Sequence, residues 1–118
     1  MVKHIKTLKV GHGLNDNVFF GPIQNEMQYE KVRSLFDDIE KEKWKVAVGG
    51  TIDTDATGYF VNPTIIDNPC DDSRIVTEEP FGPILPIMSW DTEDEVIERA
   101  NASELGLGAS GEFQSIRC

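Results

Sequence analysis

The chain has 118 residues and a net charge of −10, from 21 acidic and 11 basic side chains. That length bounds it to one domain at most, and the acid excess argues against nucleic acid as a partner, since only Lys3, Lys6 and Lys9 come close to a basic cluster. Its longest apolar run falls well short of the ~18–20 residues that span a bilayer, no apolar segment follows the basic N-terminus as a secretory signal requires, and Cys70 and Cys118 do not make a disulfide framework, so the expectation is a cytoplasmic chain with reduced thiols and no membrane partner.

Residues 3–10 set Ile5, Leu8 and Val10 among lysines, which suits the end of a helix or a short strand. Gly11-His12-Gly13 then breaks the chain, and residues 14–21 read as a loop ending in Gly21-Pro22. Proline is favoured in a helix's first turn, so Pro22 predicts a helix start. Met27, Val32, Leu35, Phe36 and Ile39 are read as its apolar face, extended by Tyr29. Glu26, Glu30, Asp37, Asp38 and Glu40 are read as lying mainly opposite. Lys41, Lys43 and Lys45 place positive charge near the C-terminal end, where the helix dipole favours it. Residues 45–48 are a short strand candidate stopped by Gly49-Gly50, and 51–58 are a polar loop. Residues 59–61 and 64–66 are extended pieces parted by Asn62-Pro63, and Asn68-Pro69 makes another turn. Residues 84–90 read as a strand, with Pro86 predicting an edge or a bulge. Thr92 and Glu95 form a capping-box pattern, and Val96, Ile97 and Ala100 define a second helix ending near 101–103. The succession gives an α/β layout without internal repeats.

Few motifs carry chemistry. Gly106, Gly108 and Gly111 match the spacing G-x-G-x-x-G, but a dinucleotide loop follows a strand and opens a helix, whereas this stretch follows a helix. Asn101-Ala102-Ser103 is a glycosylation sequon that reads as an unmodified helix end. Cys70 precedes Asp71 and Asp72, which disfavour a thiolate and hence a nucleophile there. His4 and His12 have no evident third ligand for a catalytic zinc, so no metal site is expected. The informative stretch is Thr77-Glu78-Glu79-Pro80-Phe81-Gly82-Pro83. Two carboxylates precede a turn whose prolines limit φ and whose glycine allows close backbone approach. Such a turn can hold a carboxylate, which accepts hydrogen bonds from a diol, in fixed relation to an aromatic ring, which packs on a heterocycle. The plainer reading is a solvated acidic loop with Phe81 plugged into the core.

The stretch Glu78-Glu79-Pro80-Phe81-Gly82-Pro83 resembles the signature "EE-x-FGP" of the aldehyde dehydrogenase superfamily, and the resemblance extends over about residues 5–110. Gly21-Pro22-Ile23-Gln24 with Gln28-Tyr29-Glu30-Lys31-Val32 is similar to the family's helix after the catalytic-cysteine region. Gly49-Gly50, then the run from Gly58 to Ile65, is similar to its "GG…GYF…PT" segment. The run from Asp94 to Asn101, followed by Leu105-Gly106-Leu107, is similar to "E-x-I-x-x-A-N-…-YGL", with Leu105 where the family usually has Tyr.

The resemblance implies part of an aldehyde dehydrogenase catalytic domain, Rossmann-like in its α/β layers, at residues 1–110, with an unmatched tail at 111–118. It implies NAD or NADP as cofactor, an aldehyde oxidised to a carboxylate in the full-length parent, and a homo-oligomer or a full-length subunit as partner. By the same resemblance, Glu79 matches the glutamate that bonds the nicotinamide-ribose hydroxyls, and Phe81 the aromatic residue beside the nicotinamide. Gln28 and Lys31 match helix positions that reach cofactor ribose, and Leu107 an apolar wall near the nicotinamide. The family's nucleophilic cysteine in a Gly-Gln-x-Cys context and its general-base glutamate in a Glu-Leu-Gly-Gly context have no counterpart in these 118 residues. The expectation is therefore about a quarter of a family member, inactive alone, such as a frameshift, read-through or misplaced gene boundary leaves. The rival expectation is a non-catalytic module that docks on full-length aldehyde dehydrogenase subunits.

Overall fold

The structure, a computed structural model, describes residues 1–53, 55 and 57–108. The expected tail at 111–118, Cys118, and the end of the glycine-rich stretch at 109–111 lie outside those residues. A short helix α1 (Val2–Ile5) opens the chain, and Val10 then meets Phe20 in an isolated parallel bridge. Residues 3–10 thus contain both a helix end and an extended end.

The main helix α2 (Glu26–Lys41) starts later than Pro22 predicts because Asn25 caps it, its Oδ1 accepting from the Gln28 N–H at 2.9 Å. The far end closes on Lys43, which takes a left-handed φ of +54°, while the Trp44 N–H donates to the Ile39 carbonyl at 3.0 Å. That is a Schellman closure with lysine where glycine is usual. Val32, Leu35 and Phe36 are buried as the periodicity predicts. Two expectations are corrected. Met27 is 78% exposed, because it stands about 140° around the helix from Val32, five residues at ~100° each. Asp38 is buried, because Arg74 reaches it and neutralises it.

Strands β1 (Val46–Val48), β2 (Thr64–Asp67) and β3 (Ile84–Ile87) form a sheet in the order β1-β2-β3. β1 runs antiparallel to β2, and β3 runs parallel to it, with Thr64 opposite Ile84. The parallel crossover carries a four-residue helix, α3 (Arg74–Thr77), and α4 (Glu93–Asn101) follows β3. The expected extended piece at 59–61 forms no strand; Pro63, lacking an N–H, leads directly into β2. β3 stops at Ile87 rather than 90, and Pro86 sits on the outer strand of the three, as its missing donor predicts. The Thr92 hydroxyl oxygen accepts from the Glu95 N–H at 3.2 Å, and the Glu95 carboxylate accepts from the Asp91 N–H at 2.9 Å, so α4 begins as the capping pattern predicts.

The core joins α2 to the sheet and α3: Val32, Leu35 and Phe36 pack with Val61, Ile66, Ile75 and Ile84. Gly49, at φ +76°, has no room for a side chain, since a Cβ there would collide with Thr64 Oγ1 and the Pro63 carbonyl. That close approach lets the buried Thr64 hydroxyl accept from the Gly50 N–H at 2.9 Å and donate to the Asn62 carbonyl at 3.2 Å. The outcome is a partial α/β unit: a three-stranded mixed sheet with helices.

Candidate functional site

The crossover between β2 and β3 delivers the 79–83 turn to one face of α2. Four positions on that face meet it or the core beneath it: Gln28, Lys31, Val32 and Leu35, spaced as neighbours on a helix surface. The Gln28 carboxamide donates to the Pro80 carbonyl at 2.7 Å and to the Phe81 carbonyl at 3.3 Å. The Lys31 ammonium donates to the Glu79 carbonyl at 2.9 Å. Gly82 lies so close to Val32 that an added Cβ would overlap Val32 Cγ2. On the far side, the buried Thr64 N–H donates to the Pro83 carbonyl at 2.8 Å, and the chain enters β3 at the buried Ile84.

Held at both ends, the turn puts Phe81 at φ +45°, a left-handed conformation that costs a non-glycine residue about 1–2 kcal/mol. Phe81 is 73% exposed, and its ring centre stands 6.0 Å from the Lys31 ammonium. Phe81 is therefore not plugged into the core. Beside it lies an open groove of about 540 Å³, walled by Phe20, Ile23, Gln28, Val61, Phe81 and Gly82 among others. The Tyr59 carbonyl accepts from the Ile23 N–H at 2.8 Å and so ties the groove wall at Ile23 to the segment that follows the polar loop.

The two carboxylates are not equivalent. Arg74 grips Glu78 through two nitrogens, Nε to Oε1 at 2.8 Å and Nη2 to Oε2 at 3.3 Å, while its Nη1 pairs with buried Asp38. The hydrogen bond from Arg74 is the main reason the Glu78 carboxyl lies below the usual glutamate range. Glu79 is exposed, and among the described residues no hydrogen bond engages its carboxylate. A loop with two solvated acids has become one engaged acid and one available acid beside an exposed ring.

Of the five sequence-predicted residues, Gln28, Lys31, Glu79 and Phe81 come together at this turn. Leu107 does not join them; it is fully exposed after α4 and forms no part of the groove wall. Arg74 was missed by sequence reasoning, although its spacing of four from Glu78 is that of a helical ion pair. Cys70 is exposed, and its neighbour Asp71 is tied to Arg99 at 2.7 Å. His12 accepts from the Leu14 N–H at 3.3 Å, and among the described residues no three metal-ligating side chains converge. Asn101 ends α4, its side-chain amide donating to the Ile97 carbonyl at 2.9 Å.

A family model described as "Aldehyde dehydrogenase family" matches residues 1–111. DhaS of Bacillus subtilis strain 168 is 41% identical over 109 residues, covering 92% of this chain and 22% of DhaS. A Schizosaccharomyces pombe protein named "Probable betaine aldehyde dehydrogenase" is 37% identical over 115 residues, covering 98% of this chain and 23% of that one. An aldehyde dehydrogenase from Bacillus cereus, solved as an NAD+ complex, superposes with a TM-score of 0.82 at 40% identity, covering 90% of this chain and 21% of that chain. The chain thus spans about a fifth of the length of the relatives it matches. It belongs to the aldehyde dehydrogenase family.

Proposed function

We propose that these residues are the part of an NAD(P)-dependent aldehyde dehydrogenase that meets the nicotinamide end of the cofactor. The observation that carries the reading is the 78–83 stretch, with the engaged carboxylate of Glu78, the available carboxylate of Glu79 and the exposed Phe81. The residues fit such a group. Glu79 can accept from both hydroxyls of a ribose diol without surrendering an existing partner. Phe81 offers an apolar platform for a heterocycle, and Gly82 lets the turn seat closely against Val32 of α2. Leu107 enters as an apolar wall by family resemblance alone.

In the whole enzyme the cofactor, NAD or NADP, supplies the hydride acceptor for oxidation of an aldehyde to a carboxylate. This chain's residues contribute orientation and exclusion of water. Glu79 would hold the ribose hydroxyls, and Phe81 would offer its apolar face to the attached heterocycle. A misplaced ring loses near-attack geometry, so loss of orientation lowers rate as well as affinity.

The test is Glu79→Gln in a complete aldehyde dehydrogenase carrying this segment. The change keeps size and removes charge. The expected loss is about 1–2 kcal/mol, or roughly 5- to 30-fold, shared between cofactor binding and hydride transfer. Single-turnover kinetics separate the two steps. Wild-type values for both would remove the cofactor role of Glu79.

A further inference from the structure

We infer that Gln28 and Lys31 are positioning residues: they hold the backbone of the 79–83 turn from α2, and thereby set Phe81. The inference rests on the proposed cofactor role of that turn only for its consequence in catalysis, not for the clamp itself. Three successive carbonyls, those of Glu79, Pro80 and Phe81, turn toward one helix face and are met there by two side chains one helical turn apart. Carbonyls of consecutive residues repel one another when they converge, and a φ of +45° is unfavourable for phenylalanine. Such a conformation persists only where its surroundings impose it. Here the imposing groups are a carboxamide with two N–H donors and an ammonium, both without acceptor capacity at the contacting nitrogen. The ammonium also lies 6.0 Å from the Phe81 ring centre, so one cation secures both backbone and ring. The Pro80 carbonyl takes its hydrogen bond from the helix, the Gln28 carboxamide donating to it at 2.7 Å.

A direct ribose contact by Gln28 and Lys31 makes a different forecast from a clamp. Direct ligands act only when cofactor is present. A clamp acts in the protein before cofactor arrives. The experiment places 4-fluorophenylalanine at position 81 of a complete aldehyde dehydrogenase carrying this segment, and reads fluorine NMR without cofactor. Gln28→Leu and Lys31→Met are compared with Lys31→Arg, which keeps a cationic donor. The expected result is one narrow resonance in the parent, a shifted or split resonance in Gln28→Leu and Lys31→Met, and restoration in Lys31→Arg. At saturating cofactor, kcat falls about tenfold in Lys31→Met and returns to within about twofold in Lys31→Arg, the scale of one charge-assisted hydrogen bond. An unchanged resonance in Gln28→Leu, with the mutations raising only the KM for cofactor, overturns the clamp and makes the pair direct ligands. A moved resonance with cofactor affinity and kcat both unaltered keeps the clamp and removes instead the cofactor role of the turn.

Discussion

Arg74 decides what the adjacent carboxylates can do. Its bonds to Glu78 and Asp38 leave Glu79 as the member of the pair with nothing to lose on meeting a ligand. Glu78 lies below its ordinary pKa chiefly because Arg74 donates to it, so its stabilising contribution is present above the usual glutamate range and is lost as pH falls through the lowered value. Glu95 behaves in the same direction, mainly through the Asp91 N–H. Replacing Glu78 with Gln should therefore flatten the acid-side fall in stability, with an effect at neutral pH below about 1 kcal/mol because the pair is partly exposed. Urea midpoints of the two proteins between about pH 3 and about pH 7 measure it. Parallel acid limbs would show that Arg74 does not distinguish the ionised form. Sequence reading found the two carboxylates but not their inequivalence. The four-residue spacing from Arg74 to Glu78 was legible, whereas Asp38 stands 36 positions away and no local pattern pairs it with Arg74.

The 79–83 turn and α2 behave as one element although 52 positions separate Gln28 from Pro80. α2 and α4 were legible because periodicity is local; Thr92 caps α4 as its residue type predicts, whereas Pro22 put the start of α2 ahead of Asn25, the residue that caps it. α3 was not, since four residues carry no periodicity. Nor was the helix-to-turn contact, which depends on where the crossover brings the chain. Gly82 has no room for a side chain at that contact. Gly82→Ala should destabilise the protein by about 1–3 kcal/mol, because the new Cβ meets the buried, branched Val32 rather than the end of a flexible side chain. Adding Val32→Ala removes the obstructing methyls. The double variant should then be more stable than the sum of the single losses, and a double-mutant cycle by denaturant titration reads the coupling. Strict additivity would place the cost of Gly82→Ala elsewhere than at Val32.

At the scale of the molecule, the surface is too large for the chain. It exposes 9292 Å², where a compact monomer of this length exposes about 6,400 Å². Its radius of gyration is 16.2 Å, against about 13.5 Å for a compact domain. Leu14, Phe19, Met27, Trp90 and Ile97 all stand more than half exposed. Such a chain should unfold over a broad denaturant range and bind a hydrophobic dye, since little core opposes its conformational entropy. A sharp two-state transition from a monomer in circular dichroism would contradict that.

The proposed place of this chain within a larger enzyme also bears on activity. Oxidation of an aldehyde by a thiol route needs a thiolate that attacks the carbonyl and a base that activates water for release. The 118 residues contain only Cys70 and Cys118 as thiols, and neither lies in the family's Gly-Gln-x-Cys context. Cys70 is exposed on a loop beside Asp71, and its position in the crossover precedes α3 rather than bordering the groove at Phe81. Binding contacts such as those of Glu79 cannot replace a missing nucleophile, because groups that act as a unit lose most of the rate together. The purified 118-residue chain, given NAD or NADP and a panel of aldehydes, should therefore produce no reduced cofactor by absorbance. Adding a full-length family subunit that lacks its own nucleophile should not change this. Turnover by the chain that disappears in Cys70→Ala would make Cys70 the nucleophile and overturn the reading, since it would place the chemistry on a loop that the 79–83 turn does not serve.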